Sequence, residues 1–269
     1  MNHFSRGSYL LHTLTVALLS VQASVAFSSD DTSEELLRLM ELTSSAPASI
    51  TSENSMRHLE MDFTALSVGS SSGLKWRYDQ IMENLLEPNA QHLNRIFDFS
   101  RFMVDGKIYL PAVRIAKDDI TFEDDKQTLI RVSYTISEEA ILRSSAPNFR
   151  DYLYRDFPTP EDPHWKLLPE NKEERARWKA KVSEGFSKGV EQANDVYRDR
   201  LAEMRSDYLD RQNFLNLVSK NMVSQPSILV KENGITFNGR TMNVGEIVYQ
   251  MSGDAEYLNE TNWGSAWEK

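Results

Sequence analysis

The residues best suited to chemistry in this chain are a serine flanked by glycines and a few histidines and carboxylates. Residues 69–73 read GSSSG and fit the pattern G-x-S-x-G, in which Ser71 would be the nucleophile of a hydrolase. That chemistry requires a strand that delivers the serine into a sharp turn before a helix. The residues before Gly69 have helical periodicity instead, so we interpret GSSSG as a flexible break between two helices.

Metal and thiol chemistry have little support. The chain beyond residue 26 has three histidines, His58, His92 and His164, without the H-x-x-x-H or H-E-x-x-H spacing of a zinc site. The acidic run EDDK at 123–126 lacks the alternate ligand spacing and the glycine of a calcium loop. There is no cysteine for a nucleophile, a disulfide or a metal site. We therefore predict no catalytic residue, no metal and no cofactor.

Residues 1–26 have the pattern of a signal peptide. Arg6 supplies a positive charge, residues 10–21 form an apolar segment, and Ser24-Val25-Ala26 ends it with small residues. We predict cleavage between Ala26 and Phe27 and a mature protein outside the cytoplasm. A retained anchor is the alternative, but the apolar run is shorter than the roughly 20 residues that a spanning helix needs.

The net charge bears on partners. Of the 30 basic residues Arg6 lies in the signal peptide, so 29 basic side chains face 40 acidic ones in the mature chain. Such an excess of negative charge argues against direct binding to nucleic acid, whose phosphates attract a basic face. It also offers no polybasic tract for anionic lipid.

The elements that would position these residues indicate an α+β fold. A capping box, Thr32-x-x-Glu35, predicts a short helix within residues 27–55, followed by a flexible linker rich in serine, threonine and alanine. Apolar periodicity then predicts helices at 59–66, 74–85 and 92–99. Alternating residues predict strands between 107 and 136, with a turn at Asp124-Asp125. We predict a single α+β domain over residues 56–269.

The strongest periodic signal predicts a long amphipathic helix over residues 172–222. Apolar residues recur every three or four positions from Trp178 to Met222. At 1.5 Å per residue this helix would measure roughly 75 Å, which is longer than a compact domain of this size. We therefore expect it to bend, split or project, and we expect Gly185 and Gly189 to mark a bend or a close helix contact.

The C-terminal region predicts a β-meander over residues 227–252. Its short strand candidates are separated by Asn233-Gly234 and Asn238-Gly239. Asn-Gly permits the positive φ angles of a two-residue hairpin turn.

Residues 144–169 combine aromatic side chains, arginines and prolines. Asn148 is a good N-cap for a short helix over 149–154, and the prolines that follow hold the chain extended. A ligand site would require converging polar groups. We instead interpret the segment as a clamp that packs either on this chain's own core or on a partner. Its residues are Phe149, Arg150, Tyr152 and Leu153.

Four segments, taken together, resemble the DotC/TraI family of type IVB secretion and I-type plasmid conjugation systems, which is unrelated to the relaxase also named TraI. They are APNFRDYLY, LLPENKEERARWKAKVSEGFSKGVEQANDVYRDRL, VSQPSILV and YLNETNW, and the match in order and spacing runs from Met56 to Trp267. The resemblance implies a non-enzymatic subunit of a periplasmic or outer-membrane core. It also implies assembly with a DotD-like lipoprotein and a DotH-like outer-membrane component.

DotC-like proteins are typically lipoproteins, but this chain has no cysteine to acylate. We therefore expect membrane association through partners. Two alternative functions stay open: a periplasmic cell-wall hydrolase that uses Ser71 or a carboxylate pair, and a soluble adaptor or chaperone for a channel component.

Overall fold

The structure is a computed structural model that describes residues 34–43, 54–124 and 126–264. The predicted signal peptide, the Ala26–Phe27 cleavage site, Thr32 and most of the predicted linker lie outside these residues. The α+β prediction is confirmed, because helices and antiparallel strands both form. Among the described residues, no helix is long and apolar enough to cross a membrane.

Five α-helices and seven strands are described, with short 3-10 turns and one π turn between them. The helices are α1 Glu34–Glu41, α2 Asn54–Ile81, α3 Ala90–Ile96, α4 Phe149–Leu153 and α5 Lys172–Ser219. The strands are β1 Met103–Val104, β2 Ile108–Tyr109, β3 Ala112–Glu123, β4 Lys126–Glu138, β5 Ile141–Leu142, β6 Ser227–Asn238 and β7 Thr241–Gly253.

The chain divides into two compact units. Of the described residues, those up to Ile96 and Leu153–Arg200 form the first unit, and those of Phe97–Tyr152 and from Leu201 to Gly264 form the second. Helix α5 contributes its N-terminal part to the first unit and its C-terminal part to the second. The single domain predicted over residues 56–269 stays a prediction.

The first unit is built on a close contact between helices α2 and α5. A Cβ atom on Gly69 or Gly73 would overlap the backbone of α5 near Val182 and Phe186, and one on Gly185 or Gly189 would overlap the backbone of α2. The predicted close helix contact at Gly185 and Gly189 is therefore confirmed. The predicted break at GSSSG is wrong, since α2 continues through it. Packing against α5 offsets the roughly 1 kcal/mol that each glycine costs inside a helix.

This contact also decides which face of α2 is buried. Ala65 and Met61 lie one and two turns before Gly69 on the same face, and both are fully buried. Phe63 lies on the opposite face and stays 74% exposed, with Leu59 at 64%. The helix predicted at residues 59–66 is confirmed, but Leu59 and Phe63, whose spacing predicted it, face solvent. One hydrophobic cluster of this unit contains Leu36, Leu39, Met61, Ala65, Leu168, Trp178, Val182 and Phe186.

The second unit contains a small antiparallel sheet in the order β1-β2-β5 and two separate hairpins, β3–β4 and β6–β7. Aromatic rings fill its core: Phe97, Phe99 and Phe102 meet the ring of Tyr208 at centroid distances of 5.5, 5.4 and 5.1 Å. Tyr208 is supplied by the C-terminal part of α5. That helix runs without interruption to Ser219, three residues short of its predicted end.

The predicted β-meander is a single long hairpin. Strand β6 runs through Asn233-Gly234 without turning, because Asn233 pairs with Glu246 and Ile235 with Val244. The chain reverses only after Asn238, where Gly239 has a φ of +58°. A two-residue hairpin loop needs that positive φ, and glycine adopts it without strain. The turn predicted near Asp124 is confirmed, since β3 ends at Glu123 and β4 begins at Lys126.

Candidate partner-binding surfaces

The predicted clamp lies in and around helix α4. The side chain of Asn148 caps the helix, because its Oδ1 accepts a hydrogen bond from the backbone N–H of Arg150 at 2.8 Å. Phe149 and Leu153 are fully buried, and the Arg150 guanidinium lies 4.7 Å from the centre of the Phe149 ring. The ring of Tyr152 stacks on Phe99 at 5.3 Å. The structure thus buries Phe149 and stacks Tyr152 on an aromatic ring of the second unit, and the clamp role stays a prediction.

Beside the clamp is a buried charge cluster that the sequence did not reveal. The Asp207 carboxylate accepts hydrogen bonds from the hydroxyls of Tyr152 and of Tyr109, the latter at 3.3 Å. Arg211 Nε lies 2.9 Å from Asp207 Oδ1, and the Arg211 side chain is only 3% exposed. The only sequence signal for this pair is the spacing of opposite charges four residues apart on one helix.

The same cluster favours the protonated form of its two tyrosines. The Arg211 guanidinium also donates to the carbonyl oxygen of Leu110 and to the Glu138 carboxylate, and it lies 3.9 Å from the centre of the Tyr109 ring. Burial, with the hydrogen bond to Asp207, raises the pKa of Tyr152 well above its usual value. Burial likewise raises the pKa of Tyr109. The hydroxyls of Tyr109 and Tyr152 therefore stay protonated and connect strand β2 and helix α4 to Asp207 on helix α5. A protonated hydroxyl of this kind is not an activated nucleophile.

The residues considered for catalysis or metal binding lie apart from one another. Ser71 is exposed in the middle of α2, with no strand and no sharp turn to present it. His58 Nε2 lies 3.5 Å from the Glu174 carboxylate, whereas His164 Nδ1 accepts a hydrogen bond from the backbone N–H of Lys166. In the part of the chain that the structure describes, no group of three or more histidines and carboxylates could hold a metal ion.

Two cavities lie beside strand β5 in the second unit. They have volumes of about 540 and 450 Å³, and both are lined by Leu142, Arg143 and Ser144. Lys107 lines the second one, where its ammonium lies 4.2 Å from the centre of the Tyr249 ring. Both cavities are open and shallow, without the enclosed apolar walls that hold a small molecule or cofactor.

The hairpin β3–β4 exposes apolar side chains near its end. Ile120 pairs with Leu129, so both point to one face, and Phe122 lies on that face because side chains alternate along a strand. These side chains are 45%, 53% and 76% exposed. We name residues 118–129 the acidic tip, because five aspartates and glutamates and a single lysine lie within it.

The hairpin β6–β7 has a second apolar end. Ile235 pairs with Val244 and Phe237 with Met242, so all four side chains share one face. Phe237 is 75% exposed and Val244 is 70% exposed. We name residues 235–244 the cationic tip, because Arg240 is its sole charged residue.

Each of these hairpins has two strands only, so the outer edges of β3, β4, β6 and β7 carry unpaired backbone groups. Exposed apolar clusters beside free strand edges are the kind of surface that binds other proteins. The two tips are therefore candidate partner-binding surfaces.

A family model described as type IV secretory system, conjugal DNA-protein transfer, matches residues 55–265. The chain belongs to this family. The match spans most of the 269 residues and confirms the resemblance to the DotC/TraI family. A comparison with curated proteins gave no match.

Membership makes the protein a type IV secretion component for conjugal transfer, which works together with other components of that system. The surfaces most relevant to such a component are those that can bind its neighbours. In this member of the family, the acidic tip and the cationic tip are the candidate surfaces for binding those neighbours.

Proposed function

We propose that this protein is a non-enzymatic structural subunit of the periplasmic and outer-membrane core complex of a conjugative type IVB secretion system, required for plasmid DNA transfer. The observation that carries the proposal is the pair of hairpin tips, since Phe122 and Phe237 are about three-quarters exposed in a chain with well-buried cores. Exposure of such rings to water is unfavourable, and a partner surface would remove it.

The buried charged side chains of the second unit connect its strands to helix α5, which supports a structural role. The Asp207–Arg211 pair is buried and holds strands β2 and β4 to helix α5 through Tyr109 and Glu138. Ser71 lies on a helix, where the geometry of a serine nucleophile does not form. The family description also names transfer of DNA and protein without naming a reaction.

The proposed partners are a DotD-like lipoprotein and a DotH-like outer-membrane component. The chain has no cysteine that could carry an acyl group, so we propose that these partners bring the periplasmic protein to the outer membrane. The excess of acidic residues supports protein partners over direct contact with the transferred DNA.

Affinity purification from donor cells tests this function. Tagged protein should co-purify with both partners in stoichiometric amounts, and its N-terminus should be Phe27. A double variant, Phe122→Ser with Phe237→Ser, should lose stoichiometric assembly into the complex and DNA transfer while its abundance and melting temperature stay unchanged. The matched control is Ser71→Ala, which should behave as the parent protein.

Three results would overturn the proposal. An intact Met1 on a cytoplasmic product would exclude the periplasmic location. Sub-stoichiometric presence in the purified complex would favour an adaptor or chaperone. Loss of transfer in an abundant, folded Ser71→Ala variant would favour the hydrolase.

A further inference from the structure

We propose that the acidic tip of one copy of this protein docks on the cationic tip of a second copy. The inference rests on the proposed function, which places this chain in an assembled complex. Such a contact would cover Phe122 and Phe237, the most exposed phenylalanines of the second unit.

The two tips are complementary in charge. Among its described side chains, the acidic tip carries Asp118, Asp119 and Asp124 against Lys126 alone. Two such tips repel each other, so this surface favours a partner of opposite charge. The cationic tip has no carboxylate between Ile235 and Val244 and places Arg240 in its turn, and the Glu246 carboxylate beyond Val244 accepts a hydrogen bond from the Asn233 side chain at 3.0 Å.

Both tips are also apolar at their centres. Ile120, Phe122 and Leu129 share one exposed face at the end of one hairpin. Ile235, Phe237, Met242 and Val244 form another at the end of the other. An apolar centre with charged groups at its rim is the usual anatomy of a protein interface.

The exposed apolar stripe of α2 fits the acidic tip less well. It consists of Met56, Leu59 and Phe63, but the exposed carboxylate of Glu60 lies beside Leu59. That carboxylate would face the carboxylates of the acidic tip. The cationic tip is the better partner on the same chain.

A contact that joins the acidic tip of one copy to the cationic tip of another is heterologous. In a pair of copies, one acidic tip and one cationic tip stay free. The contact can therefore continue from copy to copy around an axis. The tips have 12 and 10 residues, fewer than the roughly 20–30 residues that each side of a stable interface contributes. We accordingly expect the isolated protein to be monomeric when dilute and the contact to form within the assembled complex.

The absence of cysteine makes a direct test available. Gln127→Cys places a thiol on the apolar face of the acidic tip, because Gln127 pairs with Phe122. Val244→Cys does the same on the cationic tip. Donor cells that express both single variants should give a cross-linked dimer after treatment with a short bis-maleimide, and each variant alone should give none. One chain with both substitutions should give a ladder of oligomers.

The matched control uses the opposite faces of the same hairpins. Thr121→Cys and Asn243→Cys are exposed positions one residue from Phe122 and Met242, so their thiols point away from the apolar faces. Co-expression of these two variants should give several-fold less dimer. Equal cross-linking by both sets would mean random collision and would overturn the proposal.

Charge reversal gives a second measurement. Asp124→Arg or Arg240→Glu alone should lower the dimer yield about two- to fivefold, the range expected for one exposed ion pair. The two reversals together should restore it. Unchanged yields would show that charge does not guide the contact.

The outcomes separate this inference from the proposed function. If the protein co-purifies with its partners but Gln127→Cys and Val244→Cys give no dimer, or Val244→Cys dimerises by itself, the contact between copies is wrong and the core-complex role stands. If the dimer forms while the protein is absent from the purified complex, the contact stands and the core-complex role is wrong.

Discussion

Gly73 and Phe186 are in backbone contact: a Cβ atom added to Gly73 would overlap the Phe186 carbonyl oxygen and lie 2.9 Å from its carbonyl carbon. The neighbouring atoms belong to a helix backbone, which cannot move aside as a flexible side chain can. The same relationship recurs one turn away at Gly69, and from the opposite helix at Gly185 and Gly189. Four glycines thus set how closely α2 and α5 approach.

Gly73→Ala should therefore destabilise the protein, although alanine is the better helix former. Overpacking typically lowers the free energy of unfolding by about 1–3 kcal/mol, and the higher helix propensity of alanine raises it by about 1 kcal/mol. The expected net result is a lower free energy of unfolding, measured by urea denaturation. The control is Ser71→Ala, which adds no atom and lies exposed on the same helix. A Gly73→Ala variant as stable as the control would contradict the close contact.

Phe149→Ala removes a phenyl ring from the core, and Phe122→Ala removes one from the surface. Phe149 is fully buried beside the predicted clamp, whereas Phe122 is 76% exposed in the acidic tip. Phe149→Ala should lower the free energy of unfolding by about 3–5 kcal/mol and reduce protein abundance. Phe122→Ala should melt normally and lose assembly instead. Thermal melts beside co-purification measure both effects, and a normal melt for Phe149→Ala would show that the ring contributes no core packing.

Helix α5 and the β3–β4 hairpin could be predicted from the sequence because their signals are local. The apolar residues Trp178, Val182 and Phe186 recur with the period of a helix, and all three are buried. The strand alternation before Asp124 similarly identifies a hairpin. Such periodicity predicts the secondary structure of a single segment from that segment's own residues.

The face of α2 and the Asp207 cluster could not be predicted in that way. Leu59 and Phe63 have helical spacing, but Gly69 and Gly73 turn the opposite face toward α5. Asp207 meets Tyr109 and Tyr152 through pairings distant in sequence. The hairpin tips were missed for a related reason: alternation along a strand is the same whether its apolar face meets a core or water.

Glu174 should make the stability of the first unit depend on acidity. Burial by itself would raise the pKa of this carboxyl, but the backbone N–H of Glu170 and the Arg57 guanidinium, 2.5 Å away, hold it below its ordinary 4.5. A carboxyl with a lowered folded pKa adds stability above the unfolded value and loses it as the pH falls through the folded value. The free energy of unfolding should therefore decline below about pH 4.5.

Urea denaturation from pH 6 to roughly pH 3 would measure this decline, since the window follows from the ordinary glutamate pKa. Glu174→Gln should flatten the pH dependence and lower stability at pH 6, because Arg57 loses its charged partner. The exposed neighbour Glu173→Gln is the control and should keep the parent profile. Identical profiles for both variants would rule out a contribution from Glu174.

The Asp207–Arg211 pair should behave as a unit in a double-mutant cycle. Arg211→Met leaves the Asp207 carboxylate, 12% exposed, without its cation and should cost about 3–5 kcal/mol, the usual loss when one partner of a buried pair is removed. Adding Asp207→Asn removes the stranded charge while keeping oxygen and nitrogen atoms near the hydroxyls of Tyr109 and Tyr152. The double variant should therefore be more stable than Arg211→Met alone. Urea denaturation of the four proteins measures the coupling, and strictly additive losses would mean that the two charges do not interact.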